Sequence, residues 1–295
     1  SIKDNTNIFT IIILIFFSGE LIWRDRDSKI NEVVDATAHS SFISLAAKAL
    51  SLVCITTILN LFFILIGIIY QLLHGFGRIE VDVYLLDFFY ENLSLYIVFG
   101  GIMIMIQVLS SNKYIGYFIS IVVLLVWEII LSVLDIRTNM LDIGGSASIY
   151  YSDMNGFGPG LKSALWFNLY WILLSVLGLL IAGALWNRGS KSSLISRIKT
   201  ARKEVPKSYR GFIALVGILW LGVAGYVYYN TQILNPYRSN DTEEELMAAF
   251  EKKYDHYKDA AHPKVTDAKY YIDIFPNKRD IHVKADIELT NESEE

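Results

Sequence analysis

Six apolar stretches constrain the fold of this chain more than any other feature. A helix needs about 20 mostly apolar residues to cross a bilayer, because its backbone amides must find their hydrogen-bond partners within the segment. The first stretch is short and the other five approach this length. They are Ile8 to Phe17, Ala49 to Leu73, Leu93 to Leu109, Tyr114 to Leu134, Trp166 to Trp186 and Phe212 to Tyr229. The sequence therefore predicts an all-α polytopic membrane domain with about six transmembrane helices.

The composition argues against a soluble helical protein. Charged residues make up 19% of the chain, whereas ordinary soluble domains contain about 25%. Hydrophobic residues make up 53%, and the mean hydropathy is +0.39. Buried helices of a soluble protein would carry charged stripes, and these stretches carry none. The bilayer is the expected surrounding of this part of the chain.

The distribution of lysine and arginine predicts the orientation. Cationic loops stay on the cytoplasmic side, and the segment 187–210 is the most basic loop of the chain. Its cations are Arg188, Lys191, Arg197, Lys199, Arg202, Lys203, Lys207 and Arg210. With one crossing between successive loops, the segment 18–48 and the turn at Lys113 share that side, and 74–92 and 135–165 lie outside. The chain after Tyr229 is then periplasmic.

The C-terminal part has the pattern of an extramembrane helix followed by strands. Thr242 and Glu245 form a capping-box signature, and apolar residues follow at helical spacing. From Tyr270 to Phe275, and again from Ile281 to Leu289, the pattern indicates two β-strands. Two strands alone are marginal in water, so we expect other residues or another chain to complete the sheet. The predicted divisions are 1–229 as the transmembrane domain, 230–263 as the periplasmic linker helix and 264–295 as the start of a truncated β-domain.

Two polar segments between spans are candidates for function. The segment from Gly19 to Thr37 mixes apolar residues with five acids and three bases. It is an interfacial amphipathic helix, a docking surface or a solvated connector. The segment from Leu141 to Lys162 is rich in Gly and Ser, which indicates an ordered or re-entrant loop and not a further span.

A few polar side chains fall inside the predicted spans. Ionisable groups are costly there and by default mark a pathway. Glu128 is the clearest case. Either it has a substrate or proton role, or its side chain reaches the membrane interface or bonds a neighbouring helix. Asn60, Gln107 and Asn168 are more typical of hydrogen bonds between helices.

The sequence offers no catalytic or metal-binding pattern. The string GFGPGLKS from Gly156 to Ser163 lacks the glycine directly before lysine that a phosphate-binding loop needs. The five histidines never occur as H-E-x-x-H, and Cys54 is the only cysteine. We therefore expect no catalysis, no metal and no nucleic-acid binding within these residues.

Three separated strings resemble a known family. They are SGELIWRDRDSKINEVVD from Ser18 to Asp35, YSDMNGFG from Tyr151 to Gly158 and YNTQILNPYRSNDTEEEL from Tyr229 to Leu246. In this order they look like bacterial fusion proteins, common in Bacteroidetes, that join an ABC-type exporter permease to an aminopeptidase N-like domain of the gluzincin type. The likeness covers nearly the whole chain, and 264–290 is similar to the start of the β-rich peptidase domain.

The resemblance implies a function and partners. The chain would be the permease part of an inner-membrane transporter that works with a cytoplasmic ABC ATPase subunit and a second permease domain. ATP would bind to the partner subunit, and zinc would be expected only in a peptidase domain beyond Glu295. Glu20, Arg24 and Arg26 would contact the ATPase. The outer-loop motif is Tyr151, Ser152, Asp153, Asn155 and Gly156.

Two other functions remain open at this point. The first is a membrane anchor that displays a periplasmic metallopeptidase and has lost transport. The second is an ion-coupled carrier that uses Glu128. Association with an ATPase would favour the permease, and retained transport after Glu128→Gln would remove the carrier.

Overall fold

The computed structural model describes residues 2–37, 41–77, 79–152, 154, 156–158, 160–186, 194–235, 238–258, 263–275 and 280–291. Within these ranges the chain is mostly helical, with six long apolar helices, then a short helix and a two-stranded antiparallel hairpin. The predicted fold class is confirmed. The elements are α1 (Ile2–Asp27), α2 (Asn31–Ala36), α3 (Ser41–Leu73), α4 (Val81–Asp87), α5 (Leu93–Leu109), α6 (Lys113–Val133), α7 (Gly160–Ala184), α8 (Leu194–Glu204), α9 (Lys207–Tyr228), α10 (Asn240–Tyr254), β1 (Lys264–Phe275) and β2 (Asp280–Thr290).

Six helical segments in the described ranges are long and apolar enough to cross a membrane. A π-helical turn at Phe88–Asn92 joins α4 to α5, and another at Tyr229–Leu234 extends α9. The candidate spans are Asn7–Asp27, Ser41–Leu73, Val81–Leu109, Lys113–Val133, Gly160–Ala184 and Lys207–Leu234. They identify the chain as a multi-pass membrane protein in contact with lipid.

The helices extend beyond the apolar stretches that predict them. α1 continues from the predicted end at Phe17 to Asp27, because the charged residues of this part include good helix formers. Lys29 then adopts a left-handed backbone with φ of 57°, and α2 follows. The segment from Gly19 to Thr37 is therefore not one interfacial helix, since its first part belongs to the first span.

α5 lies at the centre of the helical unit. It contacts α1, α3, α6 and α7. In its span 67% of the most apolar window is buried, against 17% in the spans formed by α3 and α6. A side chain at Gly101 would overlap Ser175 of α7, whose hydroxyl donates to the Ile97 carbonyl at 3.1 Å. A glycine at this position lets α5 and α7 approach closely.

Residues Asn240–Glu295 form a second compact unit. α10 begins at Asn240, and β1 begins at Lys264, six residues before the predicted start of the strand. The strands pair antiparallel, with Ile272 opposite Val283. Nearly every residue of the hairpin is exposed on both faces. The division of the chain into 1–229, 230–263 and 264–295 stays a prediction.

Candidate functional site

Residues 20–37 form a helical elbow at one end of the helical unit. α1 ends at Asp27, the chain turns at Lys29, and α2 follows as a short exposed helix. Val33 of α2 is 71% exposed. The amides of Ser28 and Ile30 donate to the carbonyls of Arg24 and Asp25 at 3.0 Å each. The elbow therefore continues the hydrogen bonding of α1 while leaving the outer surface of α2 uncovered.

Ion pairs join the elbow to α3 and α6. The Lys48 ammonium of α3 lies 3.0 Å from an Asp25 carboxylate oxygen and donates to the Leu21 carbonyl at 2.6 Å. Lys113, the first residue of α6, lies 3.2 Å from Glu20 and 2.8 Å from Asp27. These bonds hold the last turns of α1 from two sides.

A second contact between α1 and α6 supports the Lys113 bridge. The Tyr117 hydroxyl lies 3.1 Å from a Glu20 carboxylate oxygen and 3.2 Å from the Phe16 carbonyl. A side chain at Gly19 would overlap the Tyr117 ring. The absence of a side chain at Gly19 thus allows α6 to pack closely against α1, next to the ion pairs of Lys113.

A polar and aromatic pocket lies beside the elbow. The indole N–H of Trp23 donates to Gln107 Oε1 at 3.1 Å, and the Arg26 guanidinium lies 5.2 Å from the Trp23 ring centroid. The lining residues of the pocket are Ile22, Trp23, Arg26, Gln107, Val108 and Trp186. A neighbouring cavity shares Ile22, Arg26 and Trp186 and is also lined by Asp25, Asn31 and Asp35. Arg26 thus lines both cavities.

α8 contacts the same end of the unit through the Arg197 side chain. Arg197 donates from Nη1 to the Val108 carbonyl, near the end of α5, at 2.8 Å. Burial, and to a lesser extent the charge of Arg26, lower the pKa of Arg197. Lys48 lies 5.7 Å from the ring centroid of Trp186, just after α7. We call this end, formed by the elbow, the α5–α6 turn, Trp186 and α8, the charged end.

The three predicted coupling residues lie together on the last turns of α1, but they differ in exposure. Arg24 is exposed, and Glu20 is exposed while paired with Lys113. Arg26 is partly buried over Trp23. Arg24 is therefore the predicted residue that is best placed to meet a partner. The face of the membrane on which the charged end lies stays a prediction.

The predicted amides inside the spans are buried and bonded between helices. Asn60 of α3 donates to the Tyr96 hydroxyl of α5 at 2.8 Å. Asn168 of α7 donates to the Tyr90 carbonyl in the π turn at 2.5 Å. This bond joins α7 to the π turn that precedes α5. Gln107 accepts from Trp23, and its Nε2 atom is buried without a partner among the described residues.

Glu128 lies apart from these amides. Its side chain is exposed on α6, near the loop that follows α6. Its neighbour Trp127 donates to the Leu141 carbonyl at 2.6 Å. Burial, and to a lesser extent the charge of Glu128, raise the pKa of Asp142 in this loop. Glu128 therefore lies at the surface of the helical unit, where it faces a loop carboxyl.

Ser152 and Gly156 of the outer-loop motif pair with each other at the opposite end of the unit. Ser152 and Gly156 exchange backbone hydrogen bonds at 2.8 and 2.7 Å, and Gly156 has φ of 57°. The Tyr151 ring lies 5.4 Å from that of Phe157, which in turn lies 6.0 Å from that of Tyr90. Asp153 and Asn155 lie outside the described residues. These ring contacts join the described part of the loop to the π turn.

The described parts of the chain hold no group of three or more histidine, cysteine or acidic residues that could bind a metal ion. The charged end offers cations, carboxylates and exposed helix surface, which suit binding to a charged partner. From the sequence, Trp186 marks only the end of a predicted span, and no role at this site is predicted for Trp23, Tyr117 or Trp186. Their signal was weak, because aromatic residues are common near membrane boundaries whether or not they bond to a neighbouring helix.

Comparison with known protein families, curated proteins and solved structures finds no match for this chain.

Proposed function

We propose that this chain is the membrane-spanning permease segment of an ABC-type transport system in a bacterial inner membrane. In this proposal the charged end faces the cytoplasm and an ABC ATPase subunit binds to the elbow. The observation that supports it best is the elbow itself, an exposed helical corner joined to the helical bundle by ion pairs. A partner subunit that binds this corner and changes conformation moves the spans with it.

The contacts of the elbow suit the transmission of force. A push on α2 acts on α1 through Lys29 and the hydrogen-bonded turn around it. The Lys48–Asp25 pair passes the push to α3, and the Lys113–Asp27 pair passes it to α6. The exposed residues Arg24 and Val33 give the partner a charge and an apolar anchor.

The same proposal assigns the remaining partners. A second permease domain completes the pathway, ATP binds to the ATPase subunit, and Asn240–Glu295 lies in the periplasm. The resemblance to aminopeptidase fusions supports a zinc peptidase domain joined to this second unit. The basic segment 187–210, with its eight lysines and arginines, supports a cytoplasmic charged end.

The test measures ATPase activity that co-purifies with the full-length protein from detergent-solubilised membranes of its own host. Arg24→Glu combined with Val33→Asp removes the two exposed anchors without touching the ion pairs of the elbow. We expect the co-purifying activity to fall by about tenfold, which corresponds to about 1.4 kcal/mol of lost binding energy. The matched control is Lys252→Glu with Met247→Asp on α10, which changes an exposed cation and an exposed apolar residue outside the spans.

The other outcomes separate the competing functions. Undiminished ATPase activity in the elbow variant, with folding intact, would overturn the coupling role of the elbow. A wild-type protein without any associated ATPase would favour the membrane anchor that displays a peptidase. Transport that is driven by an ion gradient and lost in Glu128→Gln would favour the carrier.

A further inference from the structure

α8 presents an exposed surface with apolar residues near its N-terminal end and basic residues near its C-terminal end. Leu194, Ile195 and Ile198 are 45%, 69% and 50% exposed. At 100° per residue, Leu194, Ile198 and Arg202 lie along one line of the helix, and Ile195, Lys199 and Lys203 lie along the neighbouring line. Each line thus begins apolar and ends basic. Leu194, Ile195 and Ile198 thus share one face of the helix, and the cations flank that face, as in a helix that lies at a membrane surface.

Three cations of α8, Lys199, Arg202 and Lys203, are not neutralised within the described parts of the chain. At the charged end, Lys48 is paired with Asp25, and Lys113 with Glu20 and Asp27. Lys199, Arg202 and Lys203 make no ion pair among the described residues, and all of them are exposed. Glu204 is the only acid of this helix. α8 is therefore a concentrated positive surface at the charged end.

The Arg197 side chain joins α8 to the rest of the helical unit. Arg197 is partly buried and bonded to the Val108 carbonyl at the end of α5, and Ala201, one turn on, is partly buried as well. α8 also stands in the chain between two candidate spans, Gly160–Ala184 and Lys207–Leu234. Pro206 separates α8 from α9, since a proline interrupts helical hydrogen bonding. The helix is thus tethered near the membrane boundary through Arg197, while Leu194, Ile195 and Ile198 stay exposed.

We propose that α8 is an interfacial anchor that binds the headgroups of anionic phospholipids. Leu194, Ile195 and Ile198 enter the boundary between headgroups and acyl chains. Lys199, Arg202 and Lys203 extend their aliphatic stems along the helix and place their charges at the lipid phosphates. A soluble acidic partner would match the charges alone, whereas an anionic lipid surface matches both the charges and the exposed apolar residues. The inference does not depend on transport or on which face of the membrane the charged end occupies.

The first experiment measures the depth of α8 in the bilayer. The full-length protein with Cys54→Ser receives a single spin label through Ile198→Cys or through Thr200→Cys, and it is placed in phosphatidylglycerol nanodiscs. Thr200 is the matched control, because it is exposed and lies on the other side of the same helix. We expect the label at 198 to be relaxed mainly by oxygen and the label at 200 mainly by a water-soluble nickel complex. Equal access of the nickel complex to both labels would overturn the proposal.

The second experiment tests the choice of lipid. Lipid–protein association is measured by electron spin resonance with spin-labelled phosphatidylglycerol and phosphatidylcholine. We expect Lys199→Gln, Arg202→Gln and Lys203→Gln together to lower the preference for phosphatidylglycerol by about twofold or more, because each cation near an anionic surface adds to binding. The control removes Lys252, Lys253 and Lys258 from the second unit in the same way. An unchanged preference in the α8 variant, with folding intact, would overturn the proposal.

Discussion

At the scale of single residues, the polar side chains inside the spans act mainly between helices. Asn60 with Tyr96, Gln107 with Trp23, and Asn168 with the Tyr90 carbonyl each join two helices. Such bonds contribute roughly 0.6 to 2 kcal/mol each in a bilayer, because the alternative is a polar group among lipid tails. The interpretation of these amides as interhelical contacts accounts for their burial without assigning them to a pathway.

Asp142 gives a prediction about pH. Burial, and to a lesser extent Glu128, raise its pKa above the ordinary value of 3.8. A carboxyl with a higher pKa in the folded chain binds its proton more tightly there than in the unfolded chain. The folded state therefore loses stability as the pH rises above 3.8 and through the raised pKa. We expect Asp142→Asn to raise Tm in detergent at neutral pH, and this gain to vanish in acid.

The comparison variant for this experiment is Asp82→Asn, which replaces an exposed acid. Its effect on Tm should be small and similar at both pH values. A lower Tm of Asp142→Asn at neutral pH would show that the charged carboxylate stabilises the loop, contrary to this prediction.

At the scale of elements, the end of α1 depends on bonds from its neighbours. The last turns of α1 lie beyond its apolar stretch, and Lys113 joins them to α6. We expect Lys113→Ala to speed hydrogen exchange of the Ser28 and Ile30 amides, because the turn that they close would lose its support. Mass spectrometry of peptides from this segment measures the effect.

Lys207→Ala is the matched control, because Lys207 is an exposed lysine at the first residue of a neighbouring helix and makes no ion pair among the described residues. Exchange at the elbow should be unchanged in this variant. Equal exchange in wild type and Lys113→Ala would mean that the hydrogen bonds of the turn suffice to hold the elbow.

The sequence predicts the existence of these elements better than their ends and faces. Hydropathy finds the apolar part of α1, but it cannot show that the helix runs on to Asp27, since Glu and Arg also favour helix. It also cannot tell α5 from α9, because lipid and protein interior are equally apolar. Only 11% of the most apolar window of the last span is buried, against 67% for the span of α5. The ion pair between Lys113 and Asp27 could not be predicted from the sequence either, because it depends on how α1 and α6 pack.

At the scale of the whole molecule, the orientation predicted from lysine and arginine is directly testable. In a Cys54→Ser background we expect a cysteine introduced by Ser152→Cys to react with an impermeant thiol reagent in intact spheroplasts. One introduced by Thr200→Cys should react only after permeabilisation. Both positions are exposed, so access to the reagent depends on the side of the membrane. The reverse labelling pattern would show that the topology is inverted and that the elbow lies on the periplasmic side.

The central position of α5 determines how motion in this protein should be measured. Because α5 contacts four neighbouring helices, a shift of α5 would displace all of them. α9 contacts chiefly α7, so it can move more independently. α5 is thus the natural fixed axis of the assembly. Distance measurements that keep one probe on this axis and move the other from helix to helix would assign any rearrangement to the helix that makes it.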